Sequence, residues 1–206
     1  MPFYAIRELR NADERRFERY SPEPMTGCAS HPLFAHCRVV DRSPVRFDQL
    51  PEVLREDDGL RCDLHVRYGA ATSALTFWLV EISVAVVLDH LAADLKDHYA
   101  RVSREGVGLY RRWEREWRQM WAHELQAGED PCSIDRDFPD GERRYRIALD
   151  YQRKFCAGEP VTPIVLRVHR LAEADDPAAD LLDGSHRLAA ALAANATAIR
   201  AYALIA

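Results

Sequence analysis

The sequence predicts a mixed α/β protein, and three stretches carry that expectation. Leu60, Cys62, Leu64, Val66 and Tyr68 alternate with Arg61, Asp63, His65 and Arg67, the period-two pattern of a half-buried strand. Leu88, Leu91, Leu95, Tyr99 and Val102 recur at steps of three and four, the stripe of an amphipathic helix. Further on, the apolar pair Leu181-Leu182 runs into Asp183-Gly184, and the Ala/Leu-rich stretch Leu188 to Ala194 comes next. That order reads as strand, tight turn and helix.

Taken from the start, Ile6, Leu9, Asp13, Phe17 and Tyr20 keep helical spacing until Pro22 and Pro24 end the segment. Pro32, Pro44 and Pro51 punctuate the stretch after it, and a short helix over Glu52 to Glu56 closes at Asp57-Asp58-Gly59. The alternating stretch from Leu60 ends at Gly69, and Ser73 to Glu81 returns as a second strand, so a β-hairpin is predicted over 60–81. One helix is predicted over 84–102, broken by Gly106 and Gly108, and another over 109–126 with Trp113, Trp117 and Trp121 four apart. The acidic stretch 130–141 carries two prolines and divides a largely helical N-terminal elaboration (1–130) from a C-terminal module (131–206).

In that module a helix is expected over Glu142 to Cys156, stopped by Gly158 and Pro160. A strand is expected over Val161 to His169, then an acidic loop over Glu173 to Asp180, the turn with its helix, and a last strand over 198–205. At under eighty residues the module is small, so strands from the hairpin region are expected to complete its sheet and make one continuous domain.

Totals narrow the function. The chain has 206 residues and a formal net charge of −5, so it can bury a sizeable core but is a poor candidate for coating nucleic acid without regard to sequence. Five cysteines without framework spacing read as free thiols in a reducing compartment. The N-terminus becomes charged within ten residues, unlike a secretory leader, and the most apolar stretch, 70–88, is interrupted by Glu81. A cytoplasmic protein with no membrane partner is the expectation.

The turn Asp183-Gly184-Ser185-His186-Arg187 is the candidate site. A helix start presents unpaired N–H groups and about half a positive charge, which suits phosphate. Gly184 permits close approach, Ser185 can cap the helix or meet an oxygen, His186 titrates and Arg187 offers a fork of donors. A structural reading stands beside it: Asp183 and Arg187 form an ion pair and Ser185 only caps.

Together with Pro163-Ile164-Val165-Leu166 upstream and Ile199-Arg200-Ala201-Tyr202 downstream, the run Leu181 to Ala191 resembles the ParB/sulfiredoxin superfamily. The resemblance covers about residues 140–206 and implies that fold, with a glycine turn used on nucleotide phosphates. It implies a nucleoside triphosphate, ATP or CTP, with magnesium, and transfer or hydrolysis of its phosphate. Gly184, Ser185, His186 and Arg187 would then hold phosphate oxygens, with Asp183, His186 and Arg187 catalytic and Asp183 on magnesium. Other members imply a non-catalytic or DNA-associated module, a homodimer, or an interaction protein that keeps the fold without its ligand. Ser185 stands where sulfiredoxins carry their catalytic cysteine, so sulfinic-acid reduction is not implied.

Other clusters have ordinary readings beside the functional ones. Gly141-Glu142-Arg143-Arg144 copies a partition-protein signature but comes after a polar stretch, and reads as a solvated helix start whose arginines can reach phosphates. Cys28, His31, His36 and Cys37, with Cys62 and His65, are zinc-type donors, though the last two fall on opposite faces of the predicted strand. His90, Asp94 and His98 share one helical face, either a weak metal pattern or a polar outer surface. The tryptophan ladder reads as core, against base stacking or a partner surface.

Overall fold

A computed structural model describes residues 37–41, 43–134, 138–169 and 178–205. In chain order the elements are β1 (Cys37–Val39), β2 (Val45–Arg46), α1 (Glu52–Arg55), α2 (Asp58–Tyr68), β3 (Thr76–Ser83), α3 (Val84–His90), α4 (Ala93–Glu105) and α5 (Leu109–Met120). The second half adds α6 (Ala122–Gln126), α7 (Pro131–Ile134), α8 (Gly141–Ala157), β4 (Ile164–Val168), β5 (Ala179–Asp183), α9 (Ser185–Ala193) and β6 (Ala198–Ile205). The mixed α/β class is as the sequence predicts. The helix expected in the first twenty residues lies outside the described residues.

One sheet organises the chain, in the order β1-β3-β6-β4-β5, with β2 also on β3. Strand β6 pairs antiparallel with β3 and parallel with β4, and β5 returns antiparallel along β4. A strand from the first half therefore completes the C-terminal sheet, and the two predicted regions share it. Every residue of Ile164–Val168 is buried, the mark of a strand covered on both faces.

Alternation along the strands fills two cores. Val80, Ile82, Ile164, Leu166, Val168, Ile199, Ala201 and Ala203 face a cluster built with α3, α4, α5, α8 and α9. Phe77, Val165 and Leu204 face the other side, against Leu50, Leu54, Leu60, Leu64 and Tyr68 of the α1–α2 region.

That second core corrects the predicted hairpin: residues 60–68 belong to a helix. Leu60, Leu64 and Tyr68 satisfy a spacing of four as well as of two, and the ends decide between them. Asp57 caps the helix by accepting the Leu60 N–H at 2.7 Å, and Gly69 closes it with a φ of +57°. The predicted helix over 84–102 is two helices, since Leu91 and Ala92 are extended between α3 and α4. The one predicted over 109–126 divides at Trp121. The boundary stretch contains α7, and the end of the acidic loop belongs to β5. No helix among the described residues is long and apolar enough to cross a membrane.

Candidate functional site

Strand β5 ends at Asp183 and α9 begins at Ser185, so the chain reverses at Gly184 with a φ of +104°. A Cβ there would lie 2.6 Å from Cγ2 of Ile164. Glycine is needed both for the backbone angle and for the approach to β4.

Arg187, one turn into α9, points inward with its side chain only 7 % exposed. Its Nη2 binds the Asp183 carboxylate, and its Nη1 donates to the carbonyls of Pro163 at 2.6 Å and Thr162 at 3.3 Å. The guanidinium ties the turn to the segment that enters β4. Arg187→Ala is expected to lower stability by about 3 kcal/mol, because it leaves Asp183 and two carbonyls without their partner. Urea unfolding without any ligand measures this, and a loss below ~1 kcal/mol would contradict it.

His186 lies under an aromatic roof. Its ring centroid is 5.4 Å from that of Tyr110, while His98 sits 4.8 Å from Trp113 and 4.7 Å from Tyr99. The Tyr99 hydroxyl donates to the Ser185 carbonyl at 3.5 Å. Burial, with the nearby Arg144 and Arg143 adding to it against Asp183, pushes His186 down to about 4. Burial, with Arg101, Arg144 and His186, pushes His98 to about 4 as well. Both imidazoles are neutral at pH 7 and act through hydrogen bonds and packing. Burial drives the Tyr110 hydroxyl up to about 12.

These placements sort the sequence-predicted residues. Asp183 and Arg187 close on each other, Gly184 is buried against Ile164 and takes the N-cap position, and Ser185 is the first residue of the helix rather than its cap. The Asp183 carboxylate already faces a cation, and no cluster of three or more metal-type side chains occurs among the described residues. Magnesium at Asp183 would have to compete with Arg187 for that carboxylate.

In the Gly141-Glu142-Arg143-Arg144 start the glycine is buried while Arg143 is exposed and Glu142 half-buried, so the solvated reading holds for the side chains and not for the backbone at Gly141. Gly141 is buried beneath the Tyr110 carbonyl, and the Glu114 carboxylate accepts the Glu142 N–H at 3.0 Å, filling the place an anion would take. Glu142 in turn is gripped by Arg111 and Arg146, which hold its carboxyl down at about 2. Cys62 and His65 lie one turn apart on α2, both exposed on an open cleft, while Cys28, His31 and His36 lie outside the described residues. His90, Asp94 and His98 do not share a face: the chain breaks between α3 and α4, and His98 turns inward. Trp117 is buried against Phe138 and Trp121, as the core reading holds.

Sequence reasoning missed the roof. Tyr99, Tyr110, His98 and Arg144 meet the turn only through tertiary packing, Tyr99 and Ser185 being 86 residues apart. The one available signal was a set of polar-tipped aromatics on apolar helix stripes, which when buried call for a partner. Comparison with protein-family models, with curated proteins and with solved structures finds no match to this chain.

Proposed function

We propose that this chain is a ParB/sulfiredoxin-like binding module that holds a phosphate-bearing ligand, a nucleotide, without transferring its phosphate. The supporting observation is the inward Asp183–Arg187 pair. Phosphate transfer needs a carboxylate on the metal and a cation on the developing charge. Here those two groups are engaged with each other and with backbone carbonyls.

Binding needs less. The amides at the start of α9 supply partial positive charge, and Arg143 and Arg144 stand close enough to depress His186. A phosphate at that helix start would meet amides and arginine forks, with neutral His186 as a hydrogen-bonding group.

The test is a thermal-shift panel of ATP, CTP and their diphosphates, with and without magnesium. A triphosphate at a hundredfold excess over its Kd is expected to raise Tm by about 5–10 °C. Arg144→Ala should remove that rise, and no phosphate should be released. Magnesium-dependent release of phosphate would restore the enzyme reading. No rise with any nucleotide would leave an interaction protein.

A further inference from the structure

Helix α2 buries one side and presents the other. Leu60, Leu64 and Tyr68 anchor it in the second core. At about 100° of rotation per residue, Cys62 and His65 fall on the opposite side, about 60° apart. Both are exposed on an open cleft of about 670 Å³ that Phe47, Gly69 and Thr72 also line. Thiolate and imidazole are donors that zinc prefers. Side chains three apart on a helix start about 5–6 Å from each other, close enough for both to reach one ion at about 2.0–2.3 Å. The acidic neighbours are engaged elsewhere: Asp58, on the same cleft, pairs with Arg61 at 3.9 Å, and Asp63 pairs with Arg67 at 3.2 Å. No third metal-type side chain joins Cys62 and His65 among the described residues.

Two donors leave a tetrahedral ion half coordinated. We propose that zinc held by Cys62 and His65 joins two copies of this chain, each copy supplying one thiolate and one imidazole. A two-fold axis through the ion requires only that the same patch be present on both copies. When α2 crosses its copy antiparallel about the midpoint between positions 62 and 65, each Cys62 comes opposite the His65 of the other copy. That crossing completes a set of two cysteines and two histidines, a closed structural zinc site. Charge permits the approach: α2 carries Asp58 and Asp63 against Arg61 and Arg67, so two copies meet without a net like-charge repulsion.

The patch packs against the second core, whereas α9 packs in the first, so the nucleotide reading does not bear on it. The experiment titrates zinc into the full chain at micromolar concentration, with a non-chelating phosphine reductant so that no disulfide imitates the link. Sedimentation velocity should show the mass doubling, and the zinc binding that Cys62→Ser removes should saturate at one ion per two chains. Cys62→Ser and His65→Gln, both at exposed positions, should each keep the zinc-free Tm and lose the zinc-driven dimer. Cys62→His puts a donor back and should restore the dimer. Cobalt in place of zinc should give the visible bands of a tetrahedral site, with a thiolate charge-transfer band that Cys62→His lacks. Zinc held at these residues by a monomer, one ion per chain, would overturn the proposal. So would a dimer that survives both Cys62→Ser and His65→Gln, or a mass that zinc leaves unchanged.

Discussion

Replacing Gly141 with alanine is expected to separate α5 from α8 and to remove most of the protein's stability. The added Cβ would lie 2.2 Å from the Tyr110 carbonyl oxygen, 2.9 Å from its carbon and 2.7 Å from the Glu114 Cβ. Two of those three atoms are backbone, so no rotamer change relieves them. Ordinary overpacking costs about 1–3 kcal/mol because side chains can shift. Here a whole helix must move, which places the expected loss above about 4 kcal/mol.

The movement would also undo what the crossing assembles. The Glu114 carboxylate would leave the Glu142 amide, and Arg111 would leave both Glu142 and the Tyr145 ring, which it now covers at 3.7 Å. Urea unfolding monitored by circular dichroism measures the effect. Wild-type stability in Gly141→Ala would show that the helices do not cross this closely.

Acid is the second large lever. His98 and His186 are held at about 4 inside the fold against an ordinary 6.5, chiefly by burial and then by Arg101, Arg144 and Arg143 from α4 and α8. Asp183 opposes the shift for His186, and the start of α9 adds its own positive end. The unfolded chain therefore takes up protons between pH 6.5 and about 4 that the folded chain refuses. Stability is fully present above 6.5 and falls as the pH drops through that window. Each ring corresponds to roughly 3 kcal/mol for a fall from 6.5 to about 4.

Carboxylates do not account for the upper part of the window. Glu142, held at about 2 by Arg111 and Arg146, loses stability only below its ordinary 4.5. Urea midpoints at about pH 7, 5.5 and 4.5 should therefore fall steadily, and His98→Gln with His186→Gln should flatten the decline. A midpoint constant over that range would contradict the buried, neutral imidazoles.

Where local chemistry and tertiary packing agree, the sequence is legible. Strand β6 alternates at its start, where Arg200 is exposed between buried Ile199 and Ala201, and becomes continuously apolar over Ala203 to Ile205, where both faces are covered; its predicted bounds match the strand. The glycine turn and α9 are readable because Gly184 and the Ala/Leu run admit few alternatives. Residues 60–68 mislead because their alternation competes with the caps, although Asp57 and Gly69 stand in the sequence as helix ends. The place of the candidate site is legible, but its use is not. Whether Arg187 faces solvent or Pro163 depends on how closely β4 passes the turn, and no spacing within Asp183 to Arg187 encodes that.

Strand β6 joins β3 to β4, and this has a consequence during synthesis. Phe77, Val80 and Ile82 leave the ribosome with β1 and β2 already made but with their partners on the β6 side still unmade, because Ser83 finds Ala198 only after roughly 115 further residues. At ~5–20 residues per second that wait is on the order of ten seconds. Over that interval the nascent chain displays a half-finished sheet edge, open to pairing with a neighbour on the same polysome.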